Sequence, residues 1–435
     1  MYFPFKLFKS IFYTLLLINS ILCYVPPKRF LHNSVIINDQ LLILGGYTNT
    51  TDYEFELFFL NLLKPFDIYN LTWTLIEDKG LPVYTWRSTS VLSLDNSTIY
   101  LIGGFMINKN TLEYDYSNLV YTYDYSTSKW STPVPDEGTV PPRQDIKGVI
   151  DNSGIIYIFG GFNATNLLGN IYNDMNTLNT ASDTWTTLSI SGNLPLPCME
   201  YTADILPSGT IVYIGGLEQV SDDANFTLVD MKKIKLFDTH KLEWSQMQIK
   251  YTITQPIVTF NSKDATGSYI DPRWYFSSVL TSDGNIIILG GISYSNGSVV
   301  LDGVRPKLAT LDTNKNSFVW SIPSNSEVGA PPSIYGHTAN LYNDYMIITF
   351  GKELDLNNFA SQVYFYNIKS NKWVSTFSPP DNKTTTTNNF PKALAIGLGT
   401  GIGGLLLISC TFITIFIVRR IRQRSVILEI PGSNL

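Results

Sequence analysis

Three histidines, one cysteine outside the apolar ends and four arginines at a shared offset are the side chains of this 435-residue chain best suited to chemistry. His32, His240 and His337 lie far apart and form no His-x-His pair, and HExxH, GxSxG, P-loop and EF-hand spacings are absent. Those absences remove the usual signatures of zinc hydrolysis, serine acyl transfer, nucleotide hydrolysis and calcium loops. Cys198 stands alone between Cys23 and Cys410, so no disulfide framework is indicated. Acidic pairs such as Asp222 and Asp223 sit in loops, where solvated charge is the ordinary reading. Arg29, Arg87, Arg143 and Arg273 are different, because each precedes a glycine doublet by 16 or 17 positions.

The doublets end six apolar runs: LLILGG (41–46), IYLIGG (99–104), IIYIFGG (155–161), IVYIGG (211–216), IIILGG (286–291) and MIITFGK (346–352). In the sixth, Lys352 replaces the second glycine of the pattern. The first glycines recur at intervals of 58, 57, 55, 75 and 61 residues. Trp73, Trp130, Trp185, Trp244, Trp320 and Trp373 follow them by 22 to 30 residues. An Asp or Asn lies six positions before most of these tryptophans (Asp67, Asp124, Asn179, Asp238, Asn367), with Asp312 eight before Trp320. Asp and Asn suit hairpin turns because they bond their own backbone and tolerate left-handed geometry. Agreement of three registers at this period predicts a propeller or solenoid of six β-units.

The run into Gly-Gly, the [DN]-x5-W hairpin and the Pro/Arg segment before each unit resemble the kelch-repeat β-propellers, over about residues 25–378. The resemblance implies an all-β fold, a six-bladed propeller with four short strands per blade. A single four-stranded sheet cannot bury both faces, so the units must stack around a ring. Each tryptophan is expected to fill the gap between blades. In such propellers the first strand is innermost, which implies that Arg29, Arg87, Arg143 and Arg273 gather near the central channel. Either they bond carbonyls between blades and hold the ring, or they line a pocket for an acidic ligand.

Galactose oxidase-like copper enzymes carry a similar propeller, and that chemistry requires two histidine ligands, a metal-binding tyrosine and a tyrosine cross-linked to cysteine. No such ligand set is evident: His32 and His337 fall at matching repeat positions as first-strand residues, and His240 lies in a hairpin. No cofactor is expected. A glycosidase-like pair of carboxylates drawn from different blades would leave no trace in spacing, so a propeller enzyme, whether of oxidase or glycan-processing type, stays the alternative to a non-enzymatic binding module.

The ends are of another kind. Lys6 and Lys9 precede the apolar stretch 11–22, which predicts a signal peptide over 1–23. The propeller is expected over 24–378, and a Thr/Asn/Pro-rich stalk over 379–392. Residues 393–418 carry no charge and are long enough to span a bilayer, and Arg419, Arg420, Arg422 and Arg424 open the tail 419–435. By the positive-inside rule this predicts a single-pass type I membrane protein, at the cell surface or in the secretory pathway, with the propeller outside. Gly397/Gly401 and Gly399/Gly403 offer a GxxxG face for a homodimer. Seven sequons, at Asn49, Asn70, Asn96, Asn163, Asn225, Asn296 and Asn382, predict a glycoprotein. The net charge of −6 and pI near 5.2 argue against nucleic acid.

One connection is long: Trp244 to Arg273 holds about 16 residues more than its counterparts, within 251–271, and unit four also has a long loop at 218–233. Long loops on a rigid ring are common binding elements. With Tyr251, Phe260 and Tyr269 as aromatic anchors, the segment is expected to project between units four and five and to meet a protein or glycan partner.

Overall fold

The computed structural model describes residues 24–379, apart from 49, 78–79, 134–139, 166–168, 222–224, 246–261, 265 and 295–299. The predicted signal peptide, stalk beyond 379, membrane span and tail therefore lie outside the described residues, as do Tyr251, Phe260, Asn49, Asn296 and Asn382. Among the described residues there is no helix, and so none long and apolar enough to cross a membrane.

Among the described residues, six sheets of four or five strands are built on one antiparallel plan, beside shorter two- and three-stranded pairings. In unit one the strands are Asn33–Ile37, Gln40–Leu44, Leu57–Asn61 and Trp73–Leu75, hydrogen-bonded in chain order. The same order repeats from Thr89–Leu92 to Lys129–Ser131, from Val149–Ile150 to Thr184–Leu188, and onward to Thr338–Tyr342 through Lys372–Val374 in unit six. The second strands are buried along almost their whole length, as residues covered on both faces must be. Six apolar clusters lie between consecutive units, and each receives one of the predicted tryptophans. Trp73 closes the set: it packs with Phe58 of unit one and with Ile347, Phe350 and Phe365 of unit six. At the hairpins, the Asp and Asn side chains accept backbone N–H bonds two residues on, for example Asn179 from Ala181 at 2.9 Å and Asp238 from His240 at 3.0 Å.

The doublets join the units. The second glycine N–H donates to a carbonyl of the next unit at every step: Gly46 to Thr85, Gly104 to Arg143, Gly161 to Cys198, Gly216 to Arg273, Gly291 to Ile334 and Gly351 to Arg29, all at 2.7–2.9 Å. The last bond returns to unit one. Strand exchange plays no part in this closure, because each four-stranded sheet comes from one continuous stretch; the short pairing of Thr376–Phe377 with Phe66–Asp67 adds a latch.

These bonds correct the reading of unit six. Gly351 occupies the second-glycine position, with φ +103 like its counterparts, and Phe350 stands where the first glycine belongs, at φ 53. A left-handed phenylalanine costs on the order of 1–2 kcal/mol. Its ring is fully buried against Trp73 at 5.6 Å and Phe58 at 6.2 Å, filling the interface that closes the ring.

The described end of the long connection, from Ser262 on, does not project as expected. Ser262–Asp264 pairs with Lys233–Asp238 in continuation of Glu243–Trp244: Trp244 lies opposite Phe237, Ser245 donates to the Leu236 carbonyl, and Ser262 lies opposite Lys235. Glu243–Ser245 and Ser262–Asp264 thus continue one outer strand in register. Thr266–Gly267 then pairs in parallel with Val319–Ser321 of unit five. The end of the insert is woven into two sheets rather than projecting from them.

Candidate binding site at the channel mouth

Between the segment 29–30 or its equivalents and each first strand, the chain must turn sharply into the ring. It does so through a left-handed residue: Leu31 (φ 54), Arg87 (φ 59), Asp145 (φ 58), Glu200 (φ 59), Tyr275 (φ 50) and Gly336 (φ 61). Their backbones form a collar. Arg87 N–H donates to Leu31 O, Asp145 to Arg87, Glu200 to Asp145, Gly336 to Tyr275 and Leu31 to Gly336, at 2.6–3.1 Å. The collar surrounds the mouth of a central cavity of about 130 Å³, below which Asn33, Ser34, Ser90, Thr202, Ser278 and Thr338 contribute amide and hydroxyl groups.

The structure separates the four arginines. Arg29, Arg143 and Arg273 are fully buried and act alike. Each Nη1 donates to the carbonyl of its own unit's first glycine (Gly45 at 2.8 Å, Gly160 at 2.9 Å, Gly290 at 3.2 Å), and each Nε donates to a carbonyl two residues back. They therefore brace the turn within a unit, rather than bonding between blades or facing a ligand. Arg143 adds a two-pronged pair with Asp174 at 2.8 and 3.0 Å. Cys198 takes the same position in unit four, buried, with its thiol pushed up to about 11 by that burial. Arg87 alone belongs to the collar, two residues after the position of the other three.

Sequence reasoning missed Asp145, Glu200 and Tyr275, the neighbours of Arg87 around the collar. Arg87 Nη1 pairs with Asp145 Oδ2 at 3.0 Å, and its guanidinium lies 5.6 Å from the Tyr275 ring. Burial raises the carboxyls of both Asp145 and Glu200; Arg87 opposes the shift at each. Asp145 holds the direct ion pair, so Glu200 carries the proton. Burial first and then the Asp145 charge push Glu200 up to about 8, against the pull of Arg87 and a hydrogen bond with Tyr275. A carboxyl raised in the folded state contributes stability that is complete below its ordinary value of 4.5 and is lost as pH rises toward 8. Urea titrations should therefore show stability falling from pH 5 to pH 8, and Glu200→Gln should flatten that fall. Parallel curves for the two proteins would contradict the assignment.

His32 and His337 occupy matching positions just after the collar, and burial holds both below their ordinary value, His337 at about 3. His32 Nε2 bonds the Thr349 and Thr338 hydroxyls at 3.0 Å, which ties unit one to unit six. His240 is exposed in its hairpin. Among the described residues, no three His, Cys, Asp or Glu side chains converge as metal ligands.

Outside the collar, each strand after a doublet pairs with the segment before its unit's first strand, as Tyr47–Thr48 does with Arg29–Phe30 and Phe105–Asn108 with Val83–Trp86. This brings aromatic residues from separate units together. Phe105 stacks on Trp86 at 4.9 Å, Trp86 meets Tyr47 at 5.8 Å, Tyr47 meets Phe359 at 5.9 Å, and Phe359 stacks on Phe30 at 5.0 Å. Tyr335 links Phe30 to the collar residue Tyr275. Tyr47 is 44% exposed and Tyr114, beside Phe105, is 64% exposed. Tyr269 is also exposed, but it lies between the pairing of Thr266–Gly267 with unit five and the Asp271–Arg305 backbone bond, away from this arc. Of the described sequons, Asn70, Asn96 and Asn225 are exposed and Asn163 is half-buried.

Residues 20–216 match the KLHDC2/KLHL20/DRC7 Kelch-repeats domain. Kelch domain-containing protein 3 of Rattus norvegicus is 28% identical over 232 residues, covering 50% of this chain and 56% of that protein. The Homo sapiens protein of the same name is 26% identical over 268 residues, covering 59% and 65%. Acyl-CoA-binding domain-containing protein 5 of Arabidopsis thaliana is 23% identical over 340 residues, covering 75% and 45%. The chain thus spans about half to two-thirds of the length of these curated relatives. The solved structure of YjhT superposes with a TM-score of 0.55 at 13% identity, over 82% of this chain and 99% of that one, a likeness of fold. The glycine-doublet repeats, the stacked four-stranded sheets and these relatives together support a kelch-repeat propeller family for this chain.

Proposed function

We propose that this chain is a type I membrane glycoprotein that presents a six-bladed propeller as a non-enzymatic docking module for a protein partner. The observation that carries the reading is the aromatic arc from Tyr114 through Trp86, Tyr47 and Phe30 to Phe359, set on a backbone-bonded collar. Exposed aromatics on a rigid support are the residues from which protein interfaces draw most of their energy. The arc covers units two, one and six. Sequons in the segments after the doublets fall in units one, three, four and five, so arc units two and six carry none there. The membrane assignment rests on the uncharged stretch 393–418 followed by four arginines. Protease added to sealed cells expressing the full chain should release a large fragment whose mobility shifts with endoglycosidase, leaving a short protected tail. A full-length, unglycosylated product untouched by protease would overturn the assignment.

A further inference from the structure

The segments that follow the doublets in the three arc units, 47–56, 105–119 and 352–362, hold seven Asp and Glu residues against two lysines, Lys109 and Lys352. Among the described residues no ion pair joins either lysine to these carboxylates. Both lysines lie on aromatic faces instead. Lys352 Nζ stands 5.9 Å from the centre of the Phe30 ring and 5.7 Å from that of Phe359. Lys109 Nζ of unit two stands 5.7 Å from the Phe55 ring of unit one. Phe55 and Tyr53 extend the arc, since both rings meet Tyr84, at 6.3 and 5.0 Å, and Tyr84 meets Trp86 at 5.4 Å. Tyr53 is 44% exposed, as Tyr47 is. Glu54 falls between Tyr53 and Phe55, and Glu113 directly precedes the exposed Tyr114. Accessible ring faces thus sit beside carboxylates that carry an excess of negative charge.

We propose, resting on the docking reading above, that the partner meets the arc with a basic segment. Its arginine or lysine side chains lie on the exposed faces of Tyr47, Tyr53 and Tyr114, with Glu54 and Glu113 as counter-charges. The face of an aromatic ring is the negative end of its quadrupole and attracts a cation within about 6 Å. A guanidinium suits the arc best, because it is planar and weakly hydrated, stacks on a ring and still bonds a neighbouring carboxylate. The chain's own Lys109 and Lys352 already use the arc in this way. An acidic segment would be repelled by the seven carboxylates. A purely apolar one would bury carboxylates without a partner, which is costly. Opposite charge on the two surfaces also steers their encounter and fixes the register of docking.

The test uses the full chain in a neutral maltoside detergent and three fluorescein-labelled peptides: four repeats of Gly-Ser-Arg, of Gly-Ser-Glu or of Gly-Ser-Leu. Binding is read by anisotropy at physiological salt. The arginine peptide should bind at least about tenfold more tightly than either of the others. Tyr47→Leu with Tyr114→Leu removes two ring faces and no charge, and should weaken that binding about fivefold. Glu54→Gln with Glu113→Gln should weaken it about threefold. Asp124→Asn with Asp238→Asn removes the same charge at the far end of the second strands, where Asn179 and Asn367 fill the equivalent hairpin position, and should change nothing. Thermal transitions report folding; if Tyr47→Leu lowers its own, Tyr114→Leu alone, at a residue 64% exposed, carries the comparison. Equal weakening by the Glu54/Glu113 and Asp124/Asp238 pairs would mean diffuse attraction to an acidic protein and would overturn the proposal. A leucine peptide that binds as tightly as the arginine peptide, and is lost in the tyrosine variants, would overturn it too, but would keep the arc as the docking face. Arginine-peptide binding that ignores both the tyrosine and the glutamate changes would count against the arc itself.

Discussion

Gly161→Val is expected to destabilise the propeller by about 3–5 kcal/mol, enough to leave little folded protein. Gly161 has φ +90, where a β-branched residue is strained. A Cβ there would lie 2.3 Å from Ile146 Cγ2 and 2.8 Å from the Gln144 carbonyl oxygen. Relief would require the turn to move away, and the same turn sets the bond from the Gly161 N–H to Cys198 O of the next unit at 2.9 Å. The check is the urea midpoint, or recovery of soluble protein if no folded state survives. Gly192, whose added Cβ would meet no atom within 4 Å, is the control, and Gly192→Ala should be nearly silent. A Gly161→Val protein as stable as the parent would mean that the doublets do not set the spacing of the units.

Arg143→Met should cost about 3 kcal/mol while keeping most of the side-chain volume. The substitution strands the Gly160 carbonyl and leaves Asp174 without its two-pronged partner. Arg87→Met, made for comparison, removes a single hydrogen-bonded contact with Asp145 and no bracing carbonyl bond, so it should cost less in stability. Urea midpoints for the two proteins rank the two kinds of arginine. If Arg87→Met is the more damaging, the division between bracing and collar arginines is wrong.

That division explains what the sequence could and could not reveal. Counted back from the second glycine, Arg29 and Arg87 both stand 17 residues away and look equivalent. They differ because the first hairpin of unit one turns on Asn38 and Asp39, whereas unit two spends residues 93–97 on the same turn. Extra turn residues slide Arg87 from the bracing position into the collar. The collar itself has no residue signature, since its six positions share a left-handed backbone and not a side-chain type. Hence Asp145, Glu200 and Tyr275 could not be found by spacing. The apolar runs, the doublets and the tryptophans were legible because every unit must meet the same packing demand at its interface. In unit six that demand is met by a different residue: Phe350 fills the closing interface, and counting glycines placed Gly351 one position too early in the pattern. The split outer strand of unit four was hidden for a third reason. Its two halves, Glu243–Trp244 and Ser262–Asp264, are in register in space but separated in the chain by residues 246–261.

The claim that the collar face is the docking face can be tested on intact cells with a photo-crosslinking residue placed at single positions of the full chain. Tyr114 lies in the aromatic arc, and Asn96 lies at the opposite end of the ring in an exposed turn of unit two. A crosslinker at Tyr114 should yield a discrete partner adduct that is lost when Tyr47 is also changed to serine, whereas one at Asn96 should yield none. A discrete adduct from Asn96 with none from Tyr114 would contradict the account and move the interface to the other face of the ring.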